Sequence, residues 1–112
     1  MVKTMGDGII ATLPSATSAL RAARELRMGL HAEGLDVRAA IHVGDIDRRG
    51  DDISGINVAV AARVLDLANG GEILCTGIAV AASGASIRVE ARGEHTLKGV
   101  PGNWAVDALS VD

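Results

Sequence analysis

Apolar residues near the start of the chain fall into two short runs, Val2-Lys3-Thr4-Met5 and Ile9-Ile10-Ala11-Thr12-Leu13, separated by Gly6-Asp7-Gly8. Glycine on both sides of Asp7 permits the positive φ values of a tight turn, so the pattern predicts a β-hairpin with Asp7 at its tip. After Pro14 the period changes: Leu20, Ala23, Leu26, Arg27 and Leu30 recur at helical spacing, with Arg21, Arg24 and Glu25 directed elsewhere. Proline near the start and Gly34 after the end fit helix boundary chemistry. Val37 to Ile46 reads as a strand interrupted by Arg38 and His42, and Asp47-Arg48-Arg49-Gly50-Asp51 as a polar turn beside a second hairpin.

Between Gly55 and Ala68, the residues Ile56, Val60, Ala61, Val64 and Leu65 predict a second amphipathic helix, stopped by Asn69-Gly70-Gly71. Glu72 to Thr76 is a short strand and Gly77 to Ser83 a weak third helix. Ile87 to Arg92 and Trp104 to Leu109 alternate as half-exposed strands do, with a turn around Pro101-Gly102 between them. The order is β-hairpin, helix, β-hairpin, helix, strand, short helix, strand, strand. That pattern predicts an α+β domain with a mixed sheet, a single unit over residues 1–112.

Composition narrows the picture. Aromatic residues make up 1% of the chain, Trp104 alone, so the core must be built from Ala, Val, Ile and Leu. Such side chains bury less area each than aromatic ones, and modest stability, or stability shared with a partner, is expected. A net charge of −3 offers no electrostatic footprint for a polyanion, and there is no aromatic platform for base stacking, so nucleic acid is not the expected partner. The single Cys75 can form no internal disulfide, and no apolar stretch approaches the roughly 20 residues that span a bilayer. A cytoplasmic location is expected.

Several polar constellations could carry chemistry. Lys3 and Asp7 flank the first turn, Asp45, Asp47, Asp51 and Asp52 cluster around the second, Arg63 sits within the second helix, and Lys98 precedes Gly99. Carboxylates near Lys and Arg suit divalent-metal and phosphate chemistry, because carboxylates bind Mg²⁺ and the cations neutralise phosphoryl charge. On composition alone, solvated turn formers are the favoured reading of the same aspartates. His31, His42 and His95 have no partners at metal-ligand spacing, His42 reads as a hydrogen-bonded core or edge residue, and Cys75 as a small buried hydrophobe.

Four phrases occur together and in order: Val2 to Gly8 (VKTMGDG), Val37 to Asp45 (VRAAIHVGD), Asp51 to Arg63 (DDISGINVAVAAR) and Gly93 to Gly102 (GEHTLKGVPG). In this order and spacing they resemble the C-terminal two-thirds of the class III adenylyl/guanylyl cyclase catalytic domain. The resemblance implies a ferredoxin-like nucleotidyl cyclase fold with helices on one face of a mixed sheet. It also implies active sites shared at the interface of a homodimer, or of a heterodimer with a second cyclase-type chain. In that family two aspartates hold two divalent metals, Mg²⁺ or Mn²⁺, which activate the ribose 3′-hydroxyl of ATP for attack on the α-phosphorus and stabilise departing pyrophosphate.

By this resemblance Asp7 matches the second metal-binding aspartate, and Lys3 and Asp52 match the pair that reads the purine. The pair looks like the adenine-selecting version, because Asp52 offers only acceptors and adenine presents an exocyclic amine where guanine presents an oxygen. Arg63 matches the arginine that stabilises phosphate charge in the transition state, and Lys98 the lysine that meets the polyphosphate. Two departures stand out. The family's opening strand, with a phrase resembling Phe-x-Asp-Ile-x-Gly and the first metal aspartate, is not among these residues, so an N-terminally truncated domain is expected. Ala59 also stands where better-known members carry an asparagine, and Asn57 lies roughly 200° away around the helix. The resemblance therefore implies a chain that supplies part of a site and has little or no activity alone. The alternative is a non-catalytic dimerisation or nucleotide-sensing partner of a complete cyclase.

Overall fold

The computed structural model describes residues 2–5, 8–50, 52–83 and 87–110. Their order is β1 (Val2–Met5), β2 (Gly8–Ala11), α1 (Ala16–Ala32), β3 (Ala39–Ile41), β4 (Asp47–Arg49), β5 (Asp52–Ser54), α2 (Ile56–Leu67), β6 (Ile73–Thr76), α3 (Gly77–Ser83), β7 (Val89–Leu97) and β8 (Val100–Leu109). β1 and β2 form an antiparallel hairpin in which Met5 pairs with Gly8, as the spacing predicts; Asp7, expected at its tip, lies outside the described residues.

Local chemistry accounts for the helix ends. Ser15 caps α1 in a reciprocal box: its hydroxyl accepts from the Ser18 amide at 3.1 Å and its own amide donates to Ser18 Oγ at 3.1 Å. At the other end Gly34 adopts φ +80°, its amide donates to the His31 carbonyl and the Leu35 amide to that of Leu30. This is the Schellman pattern, and a Cβ would strain the left-handed backbone it needs. α2 has no such device at its start: Gly55 (φ +116°) provides no side-chain cap.

The central sheet has the order β3-β6-β8-β7. β3 runs parallel to β6, whereas β6–β8 and β8–β7 are antiparallel, which makes the α+β sheet mixed, as expected. Side chains alternate across β6: Leu74 packs with Val60 and Val64 of α2, with Ala68 at its C-cap, and with Val106 and Ala108 of β8. Ile73 and Cys75 pack with Leu20 of α1, Ala79 of α3 and Leu109. The helices thus lie on both faces of the sheet, α2 on one and α1 with α3 on the other, and not on one face. The cause is β6 itself, buried over all four residues, which must be covered on both sides. The core is aliphatic, as the composition requires.

Three boundaries differ from the sequence pattern. β3 ends at Ile41, because the chain beyond it leaves β6 to meet α2. The polar stretch at 47–51 is a strand in part: Asp47–Arg49 pairs with Asp52–Ser54. The last hairpin turns at Lys98-Gly99 (Gly99 φ +79°), not at Pro101-Gly102. Leu97 faces Val100 and Thr96 faces Asn103, so Pro101 and Gly102 are extra residues bulged out of β8; Gly93 (φ +81°) serves a bulge in β7 in the same way.

Candidate functional site

The positions singled out in the sequence are carried by the two small hairpins, α2 and the β7–β8 turn. Lys3 falls in β1 and Asp52 in β5, where the described structure is the backbone, and Asp52 faces Arg49 in the β4–β5 ladder. The Lys3 and Asp52 side chains and Asp7 lie outside the described residues. Arg63 stands on the solvent side of α2, one residue before the fully buried Val64, and pairs with Asp66 one turn on at 3.3 Å. Lys98 is exposed in the turn between Leu97 and Val100. Both of those neighbours pack in the same cluster as Val60 and Val64, so the Lys98 turn and α2 share one side of the sheet. Ala59 packs half-buried against that cluster and offers no polar group to a ligand.

Beside these positions the fold assembles a polar chain that sequence reasoning did not find. His42 follows directly on β3 and meets Thr76, the last residue of β6, and Asn57, in the first turn of α2. The His42 Nδ1–Thr76 Oγ1 and Nε2–Asn57 Oδ1 distances are both 2.8 Å. Asn57 Nδ2 donates to the Asp45 carbonyl at 2.8 Å, and the Ala79 amide donates to Thr76 Oγ1 at 3.3 Å. With the imidazole neutral, the donors and acceptors leave one consistent assignment. Asn57 Oδ1 can only accept, so His42 carries its proton on Nε2, and Nδ1 accepts from the Thr76 hydroxyl. Trp104 stands edge-on to the imidazole, ring centroids 5.5 Å apart at 83°. Thr76 is fully buried, which makes each missing partner in this chain expensive. The one legible signal was His42 interrupting an apolar run; its partners, 15 and 34 residues away in sequence, were not.

A cleft of about 380 Å³ lies at the opposite end of β6, lined by Arg27, His31, Asp36, Glu72 and Arg92 among others. Within it Arg92 pairs with Glu72 and Glu90, His31 Nδ1 stands 3.4 Å from an Asp36 carboxylate oxygen, and Arg27 Nε donates to the Gly71 carbonyl. None of the sequence-derived positions lines it. Among the described residues no group of three or more His, Cys, Asp or Glu could hold a metal ion; Asp45 and Asp47 are exposed. Cys75 is buried, and loss of solvation, with Asp107 adding to it, pushes its thiol up to about 12. It is not a nucleophile at neutral pH. Among the described residues no helix is long and apolar enough to cross a membrane.

No protein-family model matches the chain, and no curated protein matches it by sequence. Solved structures do match. An adenylate cyclase of Trypanosoma brucei in its monomeric state superposes with a TM-score of 0.84 at 26% identity, over 98% of this chain and 69% of that one. An adenylate/guanylate cyclase/hydrolase from Silicibacter pomeroyi gives 0.80 at 26% identity, over 96% of this chain and 70% of that one. The guanylyl cyclase Cya2, at 18% identity, shares the fold with a TM-score of 0.74, over 97% of this chain and 68% of that one. The mixed α+β domain is therefore a nucleotidyl cyclase fold. More specifically, it is the fold of the class III adenylate/guanylate cyclase catalytic domain, and it extends over nearly the whole chain.

Proposed function

We propose that this chain is an adenylyl cyclase-type domain that takes part, with a second cyclase-type chain, in converting ATP to cyclic AMP and pyrophosphate. The observation that carries the reading is the agreement of fold with adenylate cyclase over 98% of the chain. The four ordered sequence phrases add to it. In this reading Lys3 donates to a purine ring nitrogen and Asp52 accepts from the exocyclic amine, which favours adenine over guanine. Arg63, projecting from α2 into solvent, meets the charge that develops on the phosphate, and Lys98 in its turn meets the polyphosphate. Mg²⁺ or Mn²⁺ enters the reading only through the carboxylate of Asp7.

The apolar packing of Ala59 favours a second reading, a non-catalytic dimerisation or nucleotide-sensing partner of a complete cyclase. A methyl group held against the core cannot donate to ribose or phosphate. One experiment separates the two. The full chain is incubated with Mn²⁺ and ATP, alone and mixed with an intact class III cyclase chain whose purine-reading lysine and aspartate have been replaced. Cyclic AMP from the mixture but not from either chain alone, lost again with Arg63→Ala, is the expected outcome. A mixture that binds ATP without turnover would replace the catalytic reading by the second. Preferential turnover of GTP would overturn the adenine assignment.

A further inference from the structure

We propose that His42 is a positioning residue that fixes the first turn of α2, and through it the flanking Asp52 and Arg63 positions, by a directed hydrogen-bond relay from the end of β6. α2 needs such a device, because Gly55 gives it no side-chain cap and φ +116° there frees the entry angle of the helix. The relay supplies the missing anchor. Thr76 Oγ–H donates to His42 Nδ1, His42 Nε2–H donates to Asn57 Oδ1, and Asn57 Nδ2–H donates to the Asp45 carbonyl. Every polar atom of the Asn57 side chain and of the imidazole is thereby given one direction.

The two ends of the relay differ in rigidity. Thr76 is fully buried at the end of the central strand and is held further by the Ala79 amide at the start of α3. Asn57 stands at a helix entry whose preceding residues, β5 and Gly55, belong to a small separate hairpin. Stiffness is thus passed from the sheet to the hairpin–helix junction and not the reverse. Trp104, the only aromatic residue in the chain, packs edge-on against the imidazole and blocks movement of the ring on that side. Gly44 completes the arrangement, since a Cβ there would stand 2.3 Å from Asn57 Nδ2 and drive the amide away from Asp45. The inference rests on the proposed cyclase reading only in what is being positioned; the relay itself does not depend on it.

The test uses the full chain as wild type, His42→Leu, His42→Gln and Asn57→Ala, with two readouts. Amide hydrogen exchange reports the junction directly. His42→Leu and Asn57→Ala should speed exchange of the first hydrogen-bonded amides of α2, residues 59–62, by roughly tenfold, the worth of about one well-made buried hydrogen bond, while β7 and β8 keep their protection. His42→Gln, whose amide can still place a donor toward Asn57, should recover most of it. Calorimetric titration with ATP and Mn²⁺ supplies the second readout: affinity should fall several-fold in His42→Leu and Asn57→Ala and return in His42→Gln. Faster exchange spread evenly over all strands, or unchanged exchange at 59–62, would overturn the relay. Equal ATP affinity in all four proteins would overturn the positioning role. If the wild type binds no ATP, the purine-reading roles of Lys3 and Asp52 fail, and exchange alone decides whether His42 anchors α2.

Discussion

Gly44→Ala should destabilise the protein by about 3–4 kcal/mol, although alanine fits the backbone there. Gly44 is not among the glycines with positive φ, so the strain is purely steric. An added Cβ would lie 2.3 Å from Asn57 Nδ2, 2.4 Å from Cγ and 2.7 Å from Oδ1, well inside van der Waals contact. Asn57 must swing away, which breaks the 2.8 Å bond from His42 Nε2 and the 2.8 Å bond to the Asp45 carbonyl. Each such bond contributes about 1 kcal/mol net, and the half-buried imidazole N–H left behind adds about 1–2 kcal/mol more. Asn57→Ala removes the same two bonds and should cost a similar amount. The three atoms that a Cβ at Gly44 would crowd are all absent from alanine, so the double mutant should be little worse than Asn57→Ala alone, a coupling of about 3 kcal/mol. Urea unfolding followed by Trp104 fluorescence measures all four corners of the cycle, and the slope with denaturant should not change. Costs that simply add, to within about 0.5 kcal/mol, would refute the argument that Gly44 exists to admit Asn57.

Other consequences follow from the core. Val64 has no exposed surface and links α2 to Leu74 and Val106, so Val64→Ala should cost about 2–3 kcal/mol in the same unfolding assay, while Arg63→Ala next to it should cost under about 1 kcal/mol, since its ion pair with Asp66 is solvent-exposed. Cys75 should resist a thiol reagent at neutral pH until the protein unfolds, with a labelling rate that tracks global opening. Its folded pKa, about 12, lies above the ordinary thiol value of 9.0. The unfolded thiol therefore loses its proton first, and the stability that Cys75 contributes, complete below pH 9, declines as pH rises toward 12. Cys75→Ala should flatten that part of the stability–pH curve, which urea titrations at stepped alkaline pH would detect.

Much of the architecture is determined by short stretches of sequence. The spacing of Val60 and Val64 defines the buried stripe of α2, the run Ile73 to Thr76 forms the central strand, and Gly34 ends α1 through its backbone freedom. Each is a local preference, expressed within a few residues, and so legible without a partner. The ordered phrases around Asp7, His42, Arg63 and Lys98 likewise carried the cyclase resemblance that the fold bears out. Tertiary structure decided the rest. Whether Lys98-Gly99 or Pro101-Gly102 turns the last hairpin depends on register against β7, because a positive-φ glycine serves a turn and a bulge equally well. The covering of both sheet faces follows from where β6 lands between β3 and β8. The Thr76–His42–Asn57–Asp45 relay exists only when the ends of two strands and the start of a helix converge, and no pattern of neighbours in sequence encodes a convergence over 34 residues.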